Sequence, residues 1–175
     1  MSYISIGGLT VPLDSVLTFS QSYQPIERST VHRLGTAGVG VKQTLYGGKL
    51  RTTISATGWT APGLSALDRS AQHTLLCAAT LSNAGGANDI KIGDSTRRRS
   101  DTGFEPVAYA IFADRHVKTP VVVDAAGNCV ITPVTGALQY KVDWYPVLTV
   151  LLIDFNEDTQ ADSATYAWDL VAEEV

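Results

Sequence analysis

Val39-Gly40-Val41-Lys42-Gln43-Thr44-Leu45-Tyr46-Gly47-Gly48-Lys49-Leu50-Arg51-Thr52-Thr53-Ile54-Ser55-Ala56 is the stretch whose reading decides the fold class. Val39 to Tyr46 reads as a strand. Gly47-Gly48 then supplies the positive φ angles that tight hairpin turns demand. Lys49 to Ala56 returns, rich in β-branched Thr52, Thr53 and Ile54, which pack well on a pleated surface. Outward from this hairpin the pattern stays β. Tyr3-Ile4-Ser5-Ile6 alternates before Gly7-Gly8, and Leu9-Thr10-Val11 alternates before Pro12. Val107 to Val117 and Val121 to Val123 read as strands, with a turn around Ala125-Ala126-Gly127-Asn128 and a return at Cys129 to Thr132. Ala137 to Asp154 is a long β run interrupted at Pro146, which implies an edge position or a bulge. Ala164 to Ala172 alternates through Tyr166, Trp168 and Leu170, while Ser82 to Asn88 and Asp94 to Gly103 read as polar loops.

One segment has helical spacing. Thr60 can cap, Pro62 fits a first turn, and Leu64, Leu67 and Ala71 recur on one face. A short helix over about Pro62 to Arg69 is expected, followed by a strand from His73, although that apolar run suits a buried helix as well. The expected architecture is mostly β: a single domain over residues 1–175, an antiparallel sandwich or barrel-like fold with one short helix.

The chain has 175 residues, enough for one domain to bury its own core without disulfide or metal. Its charged fraction, 17%, is below the usual quarter, with Thr, Ser and Gly in place of charge. That suits a β protein whose surface meets other subunits. A net charge of -4 argues against a sequence-independent grip on nucleic acid, which needs clustered positive charge. The apolar run Val147 to Ile153 is far too short for a spanning helix, which takes roughly 20 residues. The first residues lack the basic and apolar regions of a secretory signal. Cys77 and Cys129 form no CxxC pair and sit among apolar neighbours, so free buried thiols in a reducing cytosol are expected.

Motifs with chemical meaning are few. Gly35-Thr36-Ala37-Gly38-Val39-Gly40-Val41-Lys42 has the glycines of a phosphate loop, but Val41 separates the lysine from the last glycine and Gln43 follows it. A turn into the hairpin is the better reading. Asp154-x-Asn156-x-Asp158 resembles half of a calcium loop, yet Thr159 and Thr165 occupy the positions of the required glycine and glutamate. An acidic surface turn between the last two strands is expected instead. His32, His73 and His116 have no metal-ligand spacing, and no nucleophile elbow accompanies them. Neither cofactor nor metal nor enzymatic activity is expected. Arg97-Arg98-Arg99 is the sharpest charge feature: a solvated loop, or donors for the carboxylates of a neighbouring subunit. Trp59, Trp144 and Trp168 suit either core and interface anchors or a sugar platform.

Several stretches together resemble a family. They are Phe19-Ser20-Gln21-Ser22-Tyr23-x-Pro25-Ile26, Val41-Lys42-Gln43-Thr44, Leu50 through Trp59, Pro62-Gly63-Leu64-x-x-Leu67-Asp68, and Trp168-x-Leu170-x-Ala172-Glu173-Glu174-Val175. In these the chain resembles minor tail proteins of long-tailed, non-contractile bacteriophages, in particular the distal tail proteins of the tube–baseplate junction. The resemblance implies a tail-tube-like β subunit in a ring, commonly a hexamer, in the virion tail and assembled in the host cytoplasm. Its neighbours would be the tail tube protein above and baseplate hub or tail-tip proteins below, with DNA only in transit. The family offers no catalytic residues. Within such a ring Arg97, Arg98 and Arg99 are candidates for the subunit interface. Asp154, Glu157 and Asp158 are candidates for an acidic lumen or an interface. The alternative is a monomeric carbohydrate-binding β module, which needs Trp59 and Trp144 exposed in one plane.

Overall fold

The computed structural model describes residues 4–34, 38–161 and 163–175. Strands make up 60% of it, every paired strand is antiparallel, and no sheet of the described residues closes into a barrel. The contacts divide the chain into two compact units, residues 1–11 with 74–148, and residues 12–73 with 149–175.

The first unit begins with β1 (Ser5–Ile6) and β2 (Leu9–Thr10), joined through Gly7-Gly8 as the alternation predicts. After β5 (His73–Leu76) come β6 (Leu81–Gly85), β7 (Asp89–Lys91), β8 (Val107–Ile111) and β9 (His116–Thr119). Next are β10 (Val121–Val123), β11 (Asn128–Ile131) and β12 (Gln139–Trp144). They form a three-stranded sheet, β10-β11-β7, and a four-stranded sheet, β6-β12-β8-β9. Inward residues of both sheets share one core, including Ile90, Ala108, Cys129, Ile131, Val142 and Trp144. Neither cysteine is in a disulfide, and both are buried.

The second unit holds β3 (Thr18–Leu34), β4 (Val39–Gly58), β13 (Val147–Gln160) and β14 (Thr165–Glu174), in the order β13-β14-β4-β3. Trp168 anchors it. The ring is 1% exposed, and its Nε1 donates to the Ser15 carbonyl at 2.9 Å. Ser15 lies in a 3-10 turn, Leu13–Ser15, pressed so close that a Cβ on Gly58 would fall 2.3 Å from its backbone. Only glycine fits there.

Four expectations are corrected. Gly47-Gly48 is not a hairpin turn: β4 runs unbroken from Val39 to Gly58, and the glycines, with Gly48 at φ 78°, are extra residues in a bulge opposite Glu27. The pair satisfies a bulge as readily as a turn, because both need a residue in the left-handed region. The expected helix at 62–69 is one 3-10 turn, Leu64–Ala66. The carboxylate of Asp68 takes the Ser70 N–H at 2.9 Å and Ser70 Oγ at 2.7 Å, bending the chain where a helix would continue. Asp154, Asn156 and Asp158 lie within β13 rather than in a turn. Finally, Leu81–Gly85 is a strand, where its polar composition reads as loop. Of the phosphate-loop-like run, Gly35 to Ala37 lie outside the described residues.

Candidate assembly surface

Cross-strand partners share a face of a sheet, so the register sorts the side chains of the second unit. Trp168 lies opposite Ala56, Leu170 opposite Ile54, and Ala172 opposite Thr52. Phe19, Gln21 and Tyr23 continue those rows on β3. This is the packed face, with Ile54, Leu170 and Ala172 buried. The intervening residues make a different face. Thr18, Ser20 and Ser22 stand on β3, Thr53, Ser55 and Thr57 on β4, Asp169 and Glu173 on β14, and Asp154, Asn156 and Asp158 on β13. Hydroxyls and carboxylates dominate it, and a shallow trough runs across Ser20, Ser55, Thr57 and Asp169.

The three candidate acids are therefore not equivalent. Asp154 pairs with Val171 and Asp158 with Ala167 on the polar face, whereas Glu157 pairs with Trp168 on the packed face. A one-residue register step in a strand sends a side chain through the sheet. Asp169 and Glu173 are the acids that join Asp154 and Asp158, and the alternation of Tyr166, Trp168, Leu170 and Ala172 was the signal for them. Arg51 meets Glu173 at 3.6 Å.

β3 is an outer strand of its sheet with one paired neighbour, whereas β13 has neighbours on both sides. Alternating antiparallel pairs make β13 and β4 run one way and β14 and β3 the other. Unpaired N–H and C=O groups along an edge are a template for another chain.

Beyond Lys49, β3 and β4 leave the packed part of the sheet. Val39 to Lys49 is exposed at every position, forming a two-stranded arm. Val31, Val41, Leu45 and Tyr46 are its exposed large apolar side chains. The root of the arm is held by the chain end: Leu50 N–H donates to a Glu174 carboxylate oxygen at 2.9 Å, and Lys49 Nζ donates to the Val175 carbonyl. On the arm, Lys42 pairs with Glu27. That hydrogen bond holds the Glu27 carboxyl below its ordinary pKa.

Arg97, Arg98 and Arg99 lie in the first unit. Arg99 N–H donates to Tyr145 O and Val147 N–H to Arg97 O, both at 2.9 Å, so the run lies along Tyr145–Val147 like a short strand. The Arg99 guanidinium points inward. It is 1% exposed, gives Nε–H to Asp101 at 2.9 Å and Nη1–H to Cys77 O at 2.8 Å, and lies 3.3 Å over the Phe104 ring. Burial takes Arg99 off the surface that a neighbour can reach. Arg98 spends donors on Gly93 O at 3.0 Å and Asp124 O at 3.3 Å but keeps a half-buried side chain, as does Arg97.

Of the tryptophans, Trp59 is 64% exposed, while Trp144 is buried with its Nε1 donating to Asn83 at 3.0 Å. His73 is tied to the Asp68 carbonyl at 2.7 Å, and His116 stands edge-on to Tyr109. Among the described residues no group of His, Cys, Asp and Glu is arranged to hold a metal ion. No described helix is long and apolar enough to cross a membrane.

Set against known proteins, the chain matches no family model, no curated protein and no solved structure.

Proposed function

We propose that this chain is a structural virion protein, a subunit of a ring at the distal end of a phage tail that joins the tail tube to the baseplate or tip. The observation that carries the reading is the run of strands β13-β14-β4-β3, with one packed face, one polar face and an exposed arm at its β3 edge. Setting the β3 edge and its arm against a different surface of the next copy makes a heterologous contact, and the same operation applies to every copy. Such a heterologous contact closes into a ring when its rotation divides a full turn, and closure covers the β3 edge. With the packed faces outward, the polar faces line the channel. Asp154, Asp158 and Asp169 then repel phosphates, and DNA passes without adhering. Glu157, on the opposite face, belongs to the body of the ring. A hexamer contacting the tail tube protein above and hub or tip proteins below is the expected assembly, without cofactor or catalytic step.

The carbohydrate-binding alternative loses its platform, because Trp144 is buried and Trp59 stands alone among the tryptophans in its exposure.

The deciding measurement is the mass of the purified protein by light scattering, together with electron microscopy of the particles. A discrete particle of about six chains with a central channel supports the reading, six being the commonest tail-ring number rather than one set by the sheet. A monomer at every concentration, or a particle without a channel, counts against it.

A further inference from the structure

The strand pair β3–β4 carries an exposed apolar patch at each end. At the root, Trp59 N–H donates to Asp14 O at 2.7 Å and Leu17 N–H to Thr57 O at 2.8 Å. Those bonds lay residues 13–17 along 57–59. Leu13, Leu17 and Trp59 flank them, the leucines 68% and 50% exposed. In the arm, Val39, Val41 and Leu45 stand at alternating positions of β4, so they share one face, and all three are exposed. Groups of exposed apolar side chains mark surfaces that another molecule covers. The two patches are separated by β3, whose 17 residues span roughly 55 Å when extended, so an arm cannot cover the root of its own sheet.

We infer that the arm of one copy docks on the root of a second copy, Val39, Val41 and Leu45 against Leu13, Leu17 and Trp59. The docking rests on the self-assembly proposed above and names the surface that receives the arm. Three observations make the occupant a second copy. Each chain presents both halves of an apolar contact, and their spacing prevents the halves from meeting within one chain. The surroundings of the halves are complementary in charge. Asp14 is the single charged residue of segments 12–24 and 52–63, whereas the arm, residues 26–50, has a net charge of +3. Arm on arm would set cation against cation, and root on root would set Asp14 against Asp14. Contacts of like charge suppress such pairings. Lastly, arm and root are different surfaces, so their contact is heterologous and repeats from copy to copy, as a ring requires. Trp59 supplies the aromatic anchor on which interface energy concentrates.

Two polar variants separate the two sides. The arm variant carries Val39→Thr, Val41→Thr and Leu45→Thr, and the root variant carries Leu13→Ser and Trp59→Ser. Every replaced side chain is exposed. Circular dichroism and thermal melting of each variant establish that the sheet stays folded. In sedimentation, each variant alone should associate at least about tenfold more weakly than the unmodified protein. In an equimolar mixture the intact arm of the root variant meets the intact root of the arm variant, while the remaining arm and root are both substituted. The mixture should therefore give two-chain particles that grow no further, at concentrations where each variant alone is monomeric. If the unmodified protein assembles but either variant assembles equally well, or if the mixture stays monomeric, arm-to-root docking is overturned while the ring reading stands. An unmodified protein that stays monomeric at every concentration overturns both. If the root substitutions abolish sedimentation with phosphatidylglycerol vesicles and leave self-association unchanged, the root patch belongs to a lipid surface and the inference is overturned.

Discussion

Two halves of one strand pair have opposite surroundings. In β4, Thr52, Ile54 and Ala56 alternate as buried residues across the sheet from Ala172, Leu170 and Trp168. Eleven residues earlier in the same strand, Val41, Gln43 and Leu45 alternate equally well and are bare. The backbone ladder to β3 is continuous through both halves apart from the bulges. Alternation therefore makes a strand, but burial needs an opposing layer. The rooted half has one within its own chain, in the 3-10 turn around Ser15. The arm does not. Stability should reside in the rooted half and association in the arm, and substitutions can be chosen to test that division.

Trp168→Ala should produce the largest effect, a loss of about 3–5 kcal/mol, because it opens a cavity beneath the sheet and leaves the Ser15 carbonyl without its donor. Tyr46→Ala, an aromatic truncation on the arm, should stay within about 0.5 kcal/mol. Chemical unfolding monitored by circular dichroism compares them directly. Similar losses at the two sites would break the division.

The first unit supplies a buried charge for contrast with the cations of the arm. Arg99→Met should cost about 3 kcal/mol, since it strips Cys77 O of its donor and Asp101 of its partner. Reversing exposed Arg28 should cost almost nothing in stability. An Arg99→Met protein as stable as the original would return Arg99 to the surface. The same ion pair carries a pH dependence. The hydrogen bond from Arg99, against partial desolvation, holds the Asp101 carboxyl below its ordinary pKa. A depressed folded-state pKa contributes stability above the unfolded value, about 3.9, which is lost as pH falls through the folded value. Because Asp101 is 45% exposed, screening should keep the contribution under about 1 kcal/mol. Asp101→Asn should flatten the acid limb of the stability profile below about pH 4.

Much of this organisation is legible in the residues. The alternation through Trp168, Leu170 and Ala172 locates a core strand, and the Pro146 interruption separates β12 from β13. Pairing partners are not legible, because they are set by register between distant segments. That is why Asp154, Glu157 and Asp158 read as one acidic group when the pleat divides them. Gly47-Gly48 misleads for a local reason: glycine at positive φ serves turn and bulge alike, and only the continuation of β3 opposite it decides. Arg97-Arg98-Arg99 reads as surface because three adjacent charges rarely enter a core. One does here, since Asp101 and the Cys77 carbonyl both meet the guanidinium.

The smallest effects sharpen the comparison most. Gly58 and Gly40 are both glycines of β4, on either side of the bulge. At Gly58 a Cβ would sit 2.3 Å from the backbone of Ser15, so Gly58→Ala should cost about 1–3 kcal/mol by forcing the 3-10 turn away. At Gly40 a Cβ meets only Val31 Cγ1 at 3.5 Å, an ordinary contact. There alanine should leave unfolding unchanged or raise stability by about 0.5 kcal/mol, through reduced freedom of the unfolded chain. A matched pair of melts reads both. If Gly40→Ala were as harmful as Gly58→Ala, the arm would have to be packed against its own chain, and the bare ribbon that invites a second copy would not exist. If it is neutral for unfolding yet alters assembly, then the arm contributes to association without contributing to the fold, and the Gly47-Gly48 bulge marks the boundary between those roles.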